Sequence, residues 1–278
     1  MPKNNEFNEK DFIKEPIEYK PYINSRGEKV TPPKYMVKFA ALFDSYHLKN
    51  PPTITTEQAH DMLRLDKPKY DALPLVKKVE INQVLANHEA DRIGVKHPTV
   101  RVVNMPKWFQ FIALGKANGD SIYLDRYGVI ENRKISANIP VHETRHHKHI
   151  AIRSGDATPD EQYTKVNEKH RNNKSYVLRT EEVDARLEAI NYTKEFNLPG
   201  TKEFETIEDG ITAFHAKKAS QLSNTQGSKN KISSVLTNMR KQKSNKQPFT
   251  AQNLAKNVGN KLDYAAKMYQ TYQSLFRG

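Results

Sequence analysis

The chain of 278 residues contains no cysteine. Disulfide bridges and thiolate metal sites are therefore excluded, and any bound metal must be held by His, Asp or Glu. Long apolar runs are also missing. No stretch reaches the roughly 18 apolar residues of a transmembrane helix, so no membrane span is expected. The opening residues, Met1-Pro2-Lys3-Asn4-Asn5-Glu6, are polar and have no apolar secretory stretch. This predicts no signal peptide, and a protein that is cytoplasmic or associated with a virion or injection system. Acidic residues are scarce in one place. From Ile211 to the end there are 12 Lys and Arg residues and one acid, Asp263. That stretch carries +11 of the formal net charge of +13 and leaves +2 for residues 1–210. Such asymmetry predicts an acidic partner for residues 211–278: nucleic acid, an anionic membrane surface or an acidic protein.

Hydrophobic residues make up 36% of the chain and charged residues 28%, which supports one core with polar extensions. Three regions are expected. Residues 1–35, with Pro16, Pro21, Pro32 and Pro33, read as an extended N-terminal arm. Residues 36–210 read as an α+β domain, and 211–278 as a basic, partly helical C-terminal extension. Within the domain a helical region is expected from Lys34 to the Pro51-Pro52 break. Thr55 and Gln58 form a capping box ahead of a short helix. A longer helix follows over about Leu75 to Ile93, with Ile81, Val84, Leu85 and His88 on one face and Gly94 stopping it. Thr99–Val103, Trp108–Leu114 and Ser121–Leu124 read as strands, the last two joined across the Asn118-Gly119-Asp120 turn. Helices are then expected from Ile139-Pro140 and over Thr180 to Phe196. In the basic extension, Leu262, Ala265, Tyr269, Tyr272 and Phe276 share one face of a last helix, which therefore needs a partner surface.

The chemistry concentrates at Val141-His142-Glu143-Thr144-Arg145-His146. Histidines four apart on a helix project from the same side about one turn apart and can reach one ion. Glu143, beside the first, can sit next to a metal-bound water. Zinc lowers the pKa of such a water to near 7, and a carboxylate there takes its proton as general base. A catalytic zinc needs a third protein ligand and one open position. Some 36 residues downstream stands Thr180-Glu181-Glu182-Val183-Asp184-Ala185.

With these segments the sequence resembles the glutamate-ligand branch of the zincin metallopeptidases, the gluzincins, over roughly residues 75–196. In that branch a second helix supplies a Glu ligand commonly followed three residues later by Ala, as Glu182 is by Ala185; Glu181 is the alternative. The resemblance implies a zincin-like fold in which a small mixed sheet packs on two metal helices. It implies Zn2+ held by His142, His146 and Glu182, Glu143 as the catalytic base, and a protein or peptide substrate. It also casts Ser121–Leu124 as the edge strand lining the cleft. Arg145 and Lys148 depart from the pattern, which has uncharged and apolar residues there. For the transition-state stabiliser His170, Tyr163 and Tyr176 are candidates. His147 and His149 are expected at the surface. His88-Glu89, which mimics a ligand motif but lies upstream of the histidine pair, is expected on the solvent side of a supporting helix. The alternative to a zinc metallopeptidase is a structural component of a virus particle or similar larger assembly. Such a component would retain a zincin fold, with the basic tail on nucleic acid or a partner protein.

Overall fold

A computed structural model provides the structure, which describes residues 6–17, 21–23, 29–31, 37, 43–103, 115–173 and 175–216. The chain divides into two compact units, Met1–Phe214 and His215–Gly278. The first unit is mixed α and β. In chain order its elements are β1 (Phe12–Pro16), β2 (Tyr22–Ile23), β3 (Lys29–Val30) and β4 (Asp44–Leu48). They continue with α1 (Thr56–Arg64), α2 (Lys67–Asp71), α3 (Leu75–Ile93), β5 (Thr99–Val103), β6 (Gly115–Asn118) and β7 (Ser121–Asp125). Last come α4 (Arg133–Ser136), α5 (Ile139–Ser154), α6 (Glu161–His170) and α7 (Thr180–Glu195). A π-helical turn, Arg126–Ile130, links β7 to α4, and residues 207–216 are helical.

Five strands form one mixed sheet in the order β1-β4-β5-β7-β6, and β2 and β3 form a separate antiparallel pair. Only β5 and β7 run parallel. Antiparallel β6 closes the sheet at one edge, joined to β7 by a two-residue turn. Gly119 leads that turn with φ +56, a backbone state that favours glycine. The cleft-lining edge strand expected at Ser121–Leu124 is thus an interior strand. The edge is Gly115–Asn118, which has no β-branched or aromatic residue to announce a strand. The segment read as an N-terminal arm supplies β1, the opposite edge, in register with β4 from Phe12 against Leu48 to Pro16 against Asp44.

The predicted helical region from Lys34 to Pro51-Pro52 is corrected over its second half. Asp44–Leu48 is a strand, because pairing with both β1 and β5 satisfies its backbone groups. Residues 34–36 and 38–42 lie outside the described residues. So do the predicted strand up to Leu114, the basic stretch from Lys217 and the amphipathic last helix. No helix among the described residues is long and apolar enough to cross a membrane.

The capping box is present: the Thr55 N–H donates to Gln58 Oε1 and the Gln58 N–H to Thr55 Oγ1. Leu75, Val79, Ile81, Leu85 and Ala86 of α3 are buried with Val100 and Val102 of β5 and Ile122 and Leu124 of β7. Each such Leu, Ile or Val contributes about 1.5–3 kcal/mol on burial. Helix α3 packs on β4 and β5, α5 packs on β6 and β7, and the two helices touch. Helix α7 packs on α5, and α6 on α7. The histidine-bearing helix is therefore enclosed by sheet on one side and helices on the others.

Candidate metal centre

Helix α5 has Pro140 in its first turn and ends at Gly155. Its enclosure buries Val141, His142, Glu143, Thr144 and Arg145 in one run, so its polar side chains must find partners inside the protein. His142 and His146 project together. Their Nε2 atoms are 3.1 Å apart. Glu182, in the first turn of α7, comes from the other side. Its Oε1 is 3.3 Å from His146 Nε2 and its Oε2 3.8 Å from His142 Nε2. Tetrahedral zinc ligands about 2.0–2.1 Å from the ion are separated by roughly 3.3 Å. The three side chains thus form a buried group, two imidazole nitrogens and one carboxylate, that could hold a metal ion. His142 and Glu182 are buried, and His146 is the partly open member.

The electrostatics suit a cation. Burial pushes the His142 imidazole well below its ordinary range. Burial acts the same way on His146, but the Glu182 carboxylate overrides it and raises His146 to about 9. Burial works against ionised Glu182, yet His146 holds it far below the usual carboxylate range. A hydrogen bond from Tyr176, at the start of the 3-10 turn Tyr176–Leu178, adds to this. Glu181 turns away and pairs with Arg153.

Glu143 lies on the β6 side of α5. It accepts a hydrogen bond from the Ala117 N–H, and burial lifts its carboxyl to about 7. It packs directly on Gly115, where a Cβ would stand 2.6 Å from Glu143 Oε1 and 2.7 Å from its Cγ. A Cβ at this position would force the carboxylate or the strand to shift.

Several partners were not legible as such in the sequence. His149, expected at the surface, is 2% exposed, and His147 is 7% exposed. His149 is seven residues from His142, two helical turns, and so returns to the same side. Its Nδ1 is 3.2 Å from His146 Nδ1 and its Nε2 2.7 Å from Asp184 Oδ2. His147 instead sits beside the Gly119 turn. Arg145 is buried between two acids. It donates to Asp184 at 2.5 and 3.0 Å and to Asp160 at 2.6 and 2.7 Å. Lys148 donates to the same Asp160 at 2.6 Å. These contacts clamp α5 to α6 and α7 and hold both carboxyls below their ordinary range. Of the stabiliser candidates, Tyr176 reaches Glu182, Tyr163 packs its ring 5.3 Å from His149, and His170 ends α6.

The His88-Glu89 pair is not on a solvent face. Glu89 is fully buried, because that side of α3 meets α5 and α7 instead of water. His88 Nδ1 and His60 Nε2 both contact the Tyr192 hydroxyl, at 2.8 and 3.0 Å. Compared with family models, curated proteins and solved structures, the chain matches none.

Proposed function

We propose that the chain is a zinc-dependent metallopeptidase of gluzincin type. The observation that carries this reading is the convergence of His142, His146 and Glu182, with the buried Glu143 carboxylate adjoining them on the same helix. A five-stranded mixed sheet, with its antiparallel edge strand beside that helix, supports a zincin-like arrangement.

The two imidazoles and Glu182 would hold Zn2+ and leave a fourth position for water or substrate. Bound zinc supplies a water acidified to near neutrality and polarises the scissile carbonyl. Glu143 takes a proton from the attacking water at its carboxylate and passes it to the leaving amine. The Ala117 N–H and the contact with Gly115 hold that carboxylate in place. The Tyr176 hydroxyl orients Glu182 from outside the ligand set.

Elemental analysis of the purified protein, paired with cleavage of a broad peptide library, tests the reading. One zinc per chain with cleavage abolished by Glu143→Gln supports it. A zinc-loaded wild type that cleaves nothing moves the chain to the structural alternative, a particle component with a retained metal site.

A further inference from the structure

We propose that His149 and Asp184 form a positioning relay that fixes the tautomer and orientation of His146 and so sets the affinity of the centre for a divalent cation. This rests on the reading of His142, His146 and Glu182 as metal ligands.

The connectivity determines where each proton sits. A histidine that offers Nε2 to a cation must present a lone pair there, so its proton is on Nδ1. His146 Nδ1 faces His149 Nδ1 at 3.2 Å. Only one of these atoms can donate, and His146 is the donor. His149 then accepts at Nδ1 and carries its own proton on Nε2, which donates to Asp184 Oδ2 at 2.7 Å. The chain cannot run the other way, because an ionised carboxylate only accepts. Asp184 is kept in that role by Arg145, at 2.5 and 3.0 Å, and by the Gln162 amide, at 2.9 Å to Oδ1.

The relay serves one ligand. His142 Nδ1 is buried with no hydrogen-bond partner among the described residues. His146 is also the more exposed of the two, its side chain 18% accessible against 9% for His142. The ligand that packing confines less is therefore the one that hydrogen bonds confine. Both His149 and Asp184 are buried, at 2% and 0% exposure, so water does not compete for these bonds. Asp184 shares the first turns of α7 with Glu182, so one helix delivers a ligand and the anchor of the second ligand's outer nitrogen.

The test compares the full-length wild type with His149→Leu, His149→Gln and Asp184→Asn. Zn2+ affinity is measured by competition with a chromophoric chelator, and the Co2+ absorption spectrum is recorded for each. His149→Leu removes both hydrogen bonds and is expected to weaken Zn2+ binding by about 10–100-fold and to shift the Co2+ bands. His149→Gln keeps an acceptor for His146 and a donor for Asp184, and is expected to stay within a few-fold of wild type. Asp184→Asn, nearly the same shape without the charge, covers the case in which His149→Leu does not fold, and is expected to weaken Zn2+ several-fold. Long-range proton–nitrogen NMR of the Zn2+ form should show His146 protonated at Nδ1 and His149 at Nε2. Wild-type affinity in His149→Leu, equal losses in Leu and Gln, or the opposite tautomers would overturn the relay alone. A wild type that binds neither Zn2+ nor Co2+ overturns the metal centre itself.

Discussion

Two histidine pairs in this protein end in opposite states. His142 and His146 aim ring nitrogens at each other and at a carboxylate. His60 and His88 aim theirs at a single hydroxyl, that of Tyr192. The hydroxyl can donate to one ring and accept from the other, so that cluster is closed by its own protein atoms. At the first pair a ring N–H can donate to the other imidazole or to Glu182, and the same three atoms could instead hold a metal ion. Both pairs adjoin a buried glutamate, Glu143 or Glu89, so neither residue type nor burial separates them. What separates them is the third partner.

The largest effects expected are those that break the metal side. His146→Ala should lose Zn2+ altogether, read as metal content after dialysis. Glu143→Gln should keep Zn2+ and lower peptide cleavage by about 10²–10⁴-fold, since it removes only the proton carrier. Gly115→Ala should resemble Glu143→Gln more than His146→Ala. Its Cβ would push the carboxylate aside, and a misplacement of about 1 Å can lower turnover by roughly 10²-fold. Unchanged cleavage in Gly115→Ala would mean that Glu143 acts from some other position.

Arg145→Met tests the clamp behind the metal helix. It leaves Asp184 buried and without its main counter-charge, which is expected to destabilise the fold by about 3–5 kcal/mol in a denaturant titration. Tyr192→Phe sharpens the comparison from the other side. It leaves two ring nitrogens without their shared partner, a loss of about 1–3 kcal/mol, with zinc content unchanged.

A further effect is in pH. Burial lowers His60 from its ordinary 6.5 to about 4. Below pH 6.5 the unfolded chain therefore takes up a proton that the folded chain refuses, and stability falls as pH drops from 6.5 toward 4. A His60→Gln variant should show a shallower slope across that window. Equal slopes in the two proteins would remove His60 as the source.

Helix α5 and its two histidines are legible because i and i+4 spacing is a property of the backbone alone. His149 obeys the same rule at i+7, but reading it needs the knowledge that a buried Asp184 waits on α7. The long α3 helix is readable from its apolar period, whereas the burial of Glu89 on it is not. Local sequence marks a polar residue, and only tertiary packing decides whether it meets water. The strand Asp44–Leu48 hides for a related reason. Its residues Asp-Ser-Tyr-His-Leu have little intrinsic preference, and long-range pairing with β1 and β5 makes the decision. The edge strand Gly115–Asn118 carries little propensity signal, and at Gly115 the missing side chain leaves the space that the Glu143 carboxylate occupies.

Helix α7 joins the two histidine clusters as one rod. Glu182 and Asp184 sit at its first turns and Tyr192 near its end. Ten residues at 1.5 Å each put Glu182 and Tyr192 about 15 Å apart along the axis. A cation gripping one end of a stiff rod also restrains the other. The far end thus becomes a gauge of occupancy: on adding Zn2+, amide exchange near Tyr192 should slow, although no atom there touches the ion.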